Sequence, residues 1–246
     1  MTTKKIIATI ECRMTSSRLP GKVMMQSCGK PMLQHLVERI SRVKKIDEIW
    51  FATTANTNDD CIEDLANRLN IGCFRGSEDD VLRRVLSTAQ TAKSDVIVEI
   101  TGDCPIIDPE IVSQTIDLYF LNSCDYAANC ITHKYPLGMD VQVFSTALLA
   151  TADKEGTTPE DREHVSWYFI RNPEKFKHLT LPPPPRLNRP EVRLTLDEYP
   201  DFVLIDHILK QFYFATPGFT CDEVINYLDK NPELLKINST VTQRGI

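Results

Sequence analysis

The sequence has no long apolar run, no excess of positive charge and no closely paired cysteines. No stretch approaches the roughly 20 apolar residues that cross a bilayer, and the first residues lead into a short β-like run rather than the apolar core of a secretion signal. The formal net charge of −6 disfavours binding to a nucleic acid through a basic surface, because such binding depends on neutralising phosphates. We therefore expect a cytoplasmic protein with neither a membrane nor a nucleic-acid partner.

Cysteine usage and overall composition are those of an ordinary globular domain. The eight cysteines include no C-x-x-C pair, so a zinc site is not expected, and several lie in apolar segments where a reduced cysteine acts as a small buried hydrophobe. The shares of hydrophobic residues, 42%, and charged residues, 25%, are typical of a folded chain. We expect residues 1–246 to form a single domain with a small appendage.

Short apolar runs alternate with amphipathic segments in the first half of the chain. Apolar residues at helical spacing predict helices, whereas short β-branched runs predict buried strands. The alternation predicts an α/β fold with a three-layer, doubly wound and mostly parallel sheet. The predicted strands are 5–10, 48–53, 72–74 and 95–100, and the predicted helices are a segment that begins at Pro31 and residues 59–69, 78–92 and 109–119.

The second half of the chain is less regular. The stretch 124–182 is where we expect a small irregular or antiparallel appendage and a dimer interface. The tail after Asn231 is either a docked extension or a frayed end. The predicted strands are 125–130, 139–144 and 192–196, the predicted helices are 146–152, 159–171 and 201–212, and the prolines at 182–185 predict a stiff extended connection.

A basic, hydroxyl-rich loop follows the first predicted strand. Residues 13–22, RMTSSRLPGK, contain three cations, three hydroxyl side chains and a glycine. Arginine presents planar pairs of donors to phosphate oxygens, lysine adds a point charge, and glycine lets backbone N–H groups approach closely. The loop is not a Walker A motif, because Ser16 stands where a glycine is required and Val23 where a serine or threonine is required. It is either a polyanion site or a solvated basic loop, and its place at the carboxyl end of a strand favours the site.

Two aspartates follow later predicted strands. Asp103 comes after strand 95–100 in the segment TGDCP, and Asp197 closes strand 192–196. Mg²⁺ takes oxygen ligands and is usually shared between one or two carboxylates and substrate phosphates. The two aspartates are therefore either Mg²⁺ ligands beside the basic loop or, each taken alone, helix-cap or turn residues.

Several segments resemble, in order, those of the cytidylyltransferases of spore-coat polysaccharide biosynthesis, which are relatives of the enzymes that make CMP-sialic acid and CMP-Kdo. The resemblance extends from about residue 5 to residue 210, and its most specific motif places Arg13 and Lys22 nine positions apart around the sequence SSRLPG. It implies the fold of the nucleotide-diphospho-sugar transferases and a homodimer. The matching segments are 13–24, 101–108, 135–144, 163–165 and 193–201.

The resemblance also implies a role for each matching residue. Arg13 and Lys22 would bind the triphosphate, Asp103 and Asp197 would hold Mg²⁺, and these four residues would be catalytic. His164 is either a general base beside Glu163 or a helix residue that a neighbour or a dimer contact satisfies. The residues implied to bind the nucleotide are Arg13, Ser16, Ser17, Gly21, Lys22, Thr101 and Asp103, and those implied to bind the acceptor are Tyr135, Gly138, Asp140, Glu163 and His164.

The implied reaction is transfer of CMP from CTP to an acid sugar or a related acceptor, with release of pyrophosphate, during synthesis of cell-surface glycan precursors. One alternative uses another nucleoside triphosphate with a sugar phosphate. A second is a glycosyltransferase, although that class usually carries an Asp-x-Asp pair where this chain has Gly102-Asp103-Cys104. A third is a nucleotide-binding protein without activity. Glu11 bears on the choice of base, because an acid beside a triphosphate is unfavourable unless it meets the metal or a donor on the base.

Overall fold

The computed structural model describes residues 4–243. The strands are β1 Ile6–Glu11, β2 Gln26–Ser27, β3 Lys30–Pro31, β4 Glu48–Thr54, β5 Gly72–Gly76, β6 Val96–Thr101, β7 Tyr126–Ala128, β8 Gln142–Ser145 and β9 His178–Thr180. The helices are α1 Met32–Ile40, α2 Asp60–Leu69, α3 Val81–Thr91, α4 Pro109–Leu121, α5 Thr146–Glu155, α6 Pro159–Glu163, α7 Trp167–Ile170, α8 Tyr199–Phe212 and α9 Cys221–Lys230. In this part of the chain, no helix is long and apolar enough to cross a membrane.

The central sheet confirms the predicted α/β fold. Its strand order is β5-β4-β1-β6-β8-β7-β9, and β1 pairs in parallel with both β4 and β6. Strand β8 runs antiparallel to its neighbours β6 and β7, and β2 with β3 forms a separate two-stranded antiparallel sheet. From β1 the chain winds outward through β4 and β5 and then returns to β6 on the other side. The crevice at the carboxyl ends of β1 and β6 is therefore the place where ligands bind in open α/β sheets.

Two apolar cores lie on opposite faces of the sheet. Successive side chains of a strand point to opposite faces, and in β1 Ala8 and Ile10 belong to one core while Ile7 belongs to the other. Helices α1, α2, α4, α8 and α9 contribute to the first core, and α3, α5 and α7 to the second. These two layers of helices make the sheet doubly wound, as the near-continuous apolar runs predicted.

The predicted strand 192–196 is wrong. The segment makes one isolated parallel bridge, from Arg193 to Leu137, and joins neither sheet. Its backbone hydrogen bonds go to a loop instead, with 2.9 Å from Leu137 N to Val192 O and 2.8 Å from Leu194 N to Leu137 O. Val192, Leu194 and Leu196 are nevertheless buried. The alternating pattern that suggested a strand thus reflects burial of an extended loop.

The predicted helix 159–171 is also wrong, because it is broken into α6 and α7. His164 takes an extended conformation at the end of α6. The break buries Val165 and lets the Ser166 hydroxyl donate to the side-chain oxygen of Gln142. Glu163 and His164 consequently lie at a helix end rather than on a helix face.

The apolar pattern of the sequence did not predict the last helix and left two alternatives for the tail. Helix α9 was not predicted, although Thr220 and Glu223 form a capping box at its start, a signal that the sequence carries. Of the two alternatives for the tail, the docked extension is correct as far as Gln243. The Asn238 side chain is buried and donates to Arg193 O at 3.0 Å.

Candidate active site

The basic loop after β1 is held in shape by its own backbone and by a buried carboxylate. Gly21 has φ +73° and donates its N–H to Met14 O at 2.8 Å, which closes the loop. Met14 N donates in turn to Asp59 Oδ1 at 2.8 Å, and Asp59 is fully buried. Gly21 therefore shapes the loop, and its N–H group is used within the loop rather than directed at a ligand.

Lys22 connects the two predicted metal ligands. Its Nζ lies 3.0 Å from Asp103 Oδ2 and 2.9 Å from Asp197 Oδ1. Burial disfavours the charge on Lys22, but the two carboxylates outweigh burial and raise the pKa of the ammonium group. Burial likewise opposes the charge of Asp197, yet Lys22, Arg18 and Arg193 together lower the pKa of its carboxyl group. The site therefore favours the charged forms of Lys22 and Asp197.

Asp103 and Asp197 come from distant segments that are tied together by backbone and side-chain contacts. Leu196 N donates to Asp103 O at 2.8 Å, and the Thr101 hydroxyl donates to Asp103 Oδ1 at 2.6 Å. Arg193 Nη2 donates to Asp197 Oδ2 at 2.6 Å. The loss of the predicted strand thus leaves Asp197 in the predicted place, directly before the start of α8.

Arg13 is paired with an acid that the sequence did not single out. Its Nη1 lies 3.0 Å from Glu78 Oε1, and the Thr15 hydroxyl donates to the same oxygen. Asn56 Nδ2 donates to Glu78 Oε2 at 2.6 Å. The hydrogen bonds from Thr15 and Asn56, with the charge of Arg13, lower the pKa of Glu78. The N-terminal end of the loop is therefore attached to the segment that precedes α3.

Two adjoining cavities open at the carboxyl ends of β1 and β6. The one that we call the basic cavity is about 550 Å³ in volume, and its charged lining includes Arg13, Arg18, Lys22, Arg84, Asp103 and Asp197, with Ser16, Ser17 and Thr101 beside them. The other, which we call the acidic cavity, is about 710 Å³, and its charged lining is Glu11, Glu99, Asp140 and Glu163, with His133 and His164. Residues Glu11, Thr101, Glu163, His164 and Gln243 line both cavities.

Three of the five residues predicted to bind the acceptor line the acidic cavity, and two do not. Asp140, Glu163 and His164 line it. Tyr135 is buried in the apolar core, where its hydroxyl donates to Pro182 O at 3.2 Å. Gly138 has φ +94°, and a Cβ there would lie 2.6 Å from the carbonyl carbon of Leu194. In the structure, Tyr135 and Gly138 do not line the cavity, although Leu137 between them does.

The carboxyl groups of the acidic cavity are held in an environment that disfavours their charge. Burial raises the pKa of Glu11, and burial together with the neighbouring Glu11 raises the pKa of Glu99 well above its ordinary value. Burial, reinforced by the charge of Asp103, raises the pKa of Asp140 to about 6. Glu11 lines both cavities, whereas Glu99 lines the acidic cavity alone.

The donors in the basic cavity fit a magnesium ion that is shared with a substrate. Among residues 4–243, no group of three or more His, Cys, Asp or Glu side chains is placed to hold a metal ion by itself. Asp103 and Asp197 both lie within 3.0 Å of the Lys22 ammonium, so they already converge on one positive charge. Two carboxylates completed by phosphate oxygens are the usual protein environment of Mg²⁺.

The sequence did not identify Glu78, Arg84, Glu99 or Gln243. Glu99 lies inside the apolar run VIVEI, where a buried acid is rare enough to have been a signal. Arg84 is 3% exposed on α3, and its Nε donates to Ala52 O at 3.1 Å. Burial lowers the pKa of Arg84. Gln243 approaches the site only because the tail folds back, which no local pattern indicates.

Comparison with known proteins supports the same family along most of the chain. Residues 7–212 match the family model described as Cytidylyltransferase. An uncharacterized protein of Methanocaldococcus jannaschii is 38% identical over 98% of this chain and 97% of its own length. The spore coat polysaccharide biosynthesis protein SpsF of Bacillus subtilis is 31% identical over 93% of this chain and 95% of its own length. An 8-amino-3,8-dideoxy-manno-octulosonate cytidylyltransferase of Shewanella amazonensis is 32% identical over 45% of each chain.

Solved structures agree with these relatives. A cytidylyltransferase from Leptospira borgpetersenii superposes with a TM-score of 0.90 at 31% identity and covers 99% of this chain and 100% of its own. A CMP:2-keto-3-deoxy-manno-octonic acid synthetase complexed with CTP superposes with a TM-score of 0.64 at 18% identity over 84% of this chain and 99% of its own, and shares the fold. With a basic loop and two converging aspartates at the switch point of the sheet, this chain belongs to the cytidylyltransferase family.

Proposed function

We propose that the protein transfers CMP from CTP to an acid sugar, with Mg²⁺ and with release of pyrophosphate, in the synthesis of glycan precursors. The family supports the cytidylyl transfer. The nature of the acceptor is suggested by the octulosonate named for one relative and by the polysaccharide synthesis named for another.

One observation carries the proposal: a single lysine bridges two carboxylates at the base of a basic loop. Lys22 Nζ contacts Asp103 and Asp197 at 3.0 Å and 2.9 Å, beside the cavity that Arg13 also lines. The acidic cavity adjoins this point and shares Thr101 and His164 with it. A triphosphate in the basic cavity and an acceptor in the acidic cavity would therefore meet beside Asp103.

The residues of this chain would act mainly by binding and positioning. Lys22 and Arg13 would neutralise phosphate oxygens, and Ser16 and Ser17 would donate hydroxyl hydrogen bonds to them. An acceptor oxygen would attack the α-phosphorus of CTP in line, and pyrophosphate would leave towards the basic loop. Preorganised charge of this kind stabilises the charge that develops in the transition state.

Asp103 and Asp197 are the residues that would hold Mg²⁺, which when bound supplies charge neutralisation and orients the phosphates. Thr101 keeps Asp103 oriented through its hydroxyl, and Arg193 does the same for Asp197. Both carboxylates are thus held in place before any substrate enters.

The direct test is an assay of pyrophosphate release. The purified protein would be incubated with Mg²⁺ and each of CTP, UTP, ATP and GTP, against 8-amino-3,8-dideoxy-manno-octulosonate, 2-keto-3-deoxy-manno-octonic acid and other acid sugars. We expect release with CTP alone. Release with a different nucleotide would overturn the choice of base, and release without any acceptor would overturn the transfer reaction.

A substitution at Asp103 tests the site. Asp103→Asn keeps the size of the side chain but removes the negative charge, and we expect kcat/KM to fall by about 100-fold or more. The matched control is Asp117→Asn, because Asp117 is an exposed partner of Lys45 outside both cavities. Turnover by Asp103→Asn at the level of the control would show that Asp103 has no part in the reaction.

A further inference from the structure

The acidic cavity is lined by several carboxyl groups that have no lysine or arginine beside them in the described part of the chain. Four acids line it, Glu11, Glu99, Asp140 and Glu163, and no lysine or arginine among residues 4–243 lines it with them. The adjoining basic cavity, in contrast, is lined by three arginines and a lysine as well as by four acids, Glu11, Asp103, Glu163 and Asp197. Lysine and arginine therefore balance the acids of the basic cavity but not those of the acidic cavity, and a ligand of the acidic cavity should bring positive charge.

Glu11 and Glu99 form a pair on one face of the sheet. In the parallel register of β1 and β6, Thr9 faces Glu99 and Glu11 faces Thr101, so the two acids point to the same side. Glu99 is 3% exposed. Glu11 Oε1 and Glu99 Oε2 are both buried, and apart from the carboxyl group of the other acid neither side chain has a hydrogen-bond partner among the described residues. Buried polar groups without partners are rare, and each calls for an explanation.

No described cation forms an ion pair with Glu11 or Glu99 within residues 4–243. Burial raises the pKa of Glu11 and the charge of Arg84 opposes that rise, but Arg84 directs its Nε to Ala52 O and its Nη1 to Ser77 O. No group of three or more His, Cys, Asp or Glu side chains in this range is placed to hold a metal ion by itself. The pair therefore has no hydrogen-bond donor from another described residue.

A protonated amine has the properties that this pair lacks. It carries one positive charge and three N–H donors, enough to satisfy several carboxyl oxygens at once. Asp140 lines the same cavity and would add to the attraction. Ile131, Trp167 and Ile170 also line the cavity, and these apolar side chains would exclude water from such a contact.

We propose that the acceptor carries a free amino group, bound as an ammonium ion by Glu11 and Glu99 with Asp140 beside them. This proposal rests on the proposed function, since it takes the acidic cavity to be the acceptor site. It selects amino-bearing acid sugars over those that carry only hydroxyl groups at the corresponding position.

The test compares acceptors in matched pairs that differ in a single group. One pair is 8-amino-3,8-dideoxy-manno-octulosonate and 2-keto-3-deoxy-manno-octonic acid, and a second, smaller pair is 2-aminoethylphosphonate and 2-hydroxyethylphosphonate. An N-acetylated form of each amine is a third member, because it keeps the nitrogen but removes the charge. Pyrophosphate release with CTP gives kcat/KM, and the melting temperature of the CTP-bound protein reports binding without turnover.

We expect the amine of at least one pair to be preferred over its hydroxyl and N-acetyl partners. In Glu99→Gln, that preference should fall by about 30-fold or more, as when one member of a buried charge pair is removed. Asp140→Asn is the second variant, in case Glu99→Gln does not fold, and should reduce the preference in the same direction. Asp117→Asn is the control and should keep the preference of the unaltered chain.

The outcomes separate this inference from the proposed function. Equal turnover of amine and hydroxyl partners would leave the transferase intact and overturn the amine. Absence of turnover with an amine that still raises the melting temperature would support the amine and count against the transferase. If no amine reacts or binds, the inference is overturned. A chain shortened to end at Gln243 is a further control. If removal of residues 244–246 alone changed the preference for the amine, the chain itself would supply the counter-charge, and the inference would be overturned.

Discussion

Asp201 holds Asp197 and Arg193 in place within the basic cavity and the segment behind it. Its carboxylate is fully buried and accepts from Arg193 Nε at 2.9 Å and from Asn238 Nδ2 at 2.9 Å. It also accepts from the backbone N–H groups of Asp197 and Glu198, at 3.0 Å and 2.9 Å. A carboxylate at the start of α8 is further stabilised by the helix dipole. Asp201 thus fixes both Asp197 and the arginine that orients it.

We expect Asp201→Asn to destabilise the protein by about 3 kcal/mol, because it leaves the buried guanidinium of Arg193 without its full counter-charge. The control on the same helix is Asp206→Asn. Within residues 4–243, Asp206 forms one ion pair, with the exposed Lys210, and this pair should be worth less than about 1 kcal/mol. Urea unfolding measures both. Similar losses in the two variants would show that Asp201 is not a structural centre.

Asp140 makes stability depend on pH in a direction that can be worked out. Its pKa is raised from 3.8 to about 6, mainly by burial. The folded protein therefore binds more protons than the unfolded chain between these values, and stability falls as the pH rises through that window. At neutral pH and above, the charged Asp140 destabilises the fold.

Asp140→Asn should remove this effect. We expect the variant to be more stable than the unaltered chain by about 2 kcal/mol at about pH 8, with little difference at about pH 4. Thermal unfolding across the pH range measures the difference, with Asp117→Asn as an exposed control. A variant that is less stable at pH 8 would mean that the Asp140 carboxylate has a stabilising partner when charged.

At the scale of elements, the loop around Gly138 and the extended segment 192–196 support each other. A Cβ on Gly138 would lie 2.6 Å from Leu194 and 2.7 Å from Thr195 N, in a conformation with φ +94°. At this contact Leu137 N donates to Val192 O, and Leu194 N donates to Leu137 O. The close approach places Asp197, at the end of the segment, next to Asp103.

We expect Gly138→Ala to cost at least about 3 kcal/mol, since it adds a backbone clash to the strain of a left-handed residue. Gly29→Ala isolates the strain alone, because Gly29 has φ +78° with nothing within 4 Å of an added Cβ, and should cost about 1 kcal/mol. Denaturant unfolding and CTP turnover should both be measured. Equal costs for the two substitutions would exclude the clash.

The sequence predicted the elements that are built from local pattern. Strands β1, β4 and β6 and the basic loop at 13–22 are readable because apolar runs and clustered cations are short-range signals. Asp103 followed from its place after a strand. The residues expected to bind the nucleotide line the basic cavity, with the exception of Gly21.

The rest depends on contacts between distant segments. Segment 192–196 was predicted as a strand, but all five of its residues are buried in an extended segment that joins neither sheet. The break between α6 and α7 accompanies the Ser166 contact with Gln142, which is invisible in the local sequence. Glu99 lines the acidic cavity although it lies within an apolar run. Tertiary contacts therefore decide the lining of the acidic cavity.

At the scale of the whole molecule, the homodimer stays a prediction. Helix α4 ends beside the stretch 124–182, and Leu121, its last residue, is 81% exposed. Phe214, beyond the end of α8, is 76% exposed. An exposed apolar side chain at an interface is buried by the partner and contributes to association.

We expect sedimentation velocity to show a dimer that Leu121→Asp weakens by about tenfold or more, because a charge would be buried in the interface. Phe214→Asp is the matched control, because Phe214 is similarly exposed but follows α8, remote in sequence from the stretch 124–182. It should leave the dimer unchanged. Dissociation by Phe214→Asp alone would place the interface elsewhere, and a monomer at all concentrations would contradict the homodimer.

The pairing of Lys22 with Asp103 and Asp197 has a consequence for the catalytic cycle. In the free protein each carboxylate already has a cationic partner, and Arg13 is likewise held by Glu78. An incoming triphosphate must compete with these internal anions, so entry without a divalent cation would leave Asp103 and Asp197 facing uncompensated negative charge. On the proposed mechanism, Asp103 and Asp197 would regain Lys22 as their partner when pyrophosphate departs. The same ion pairs would therefore disfavour entry of a nucleotide without its cation and would favour departure of the product.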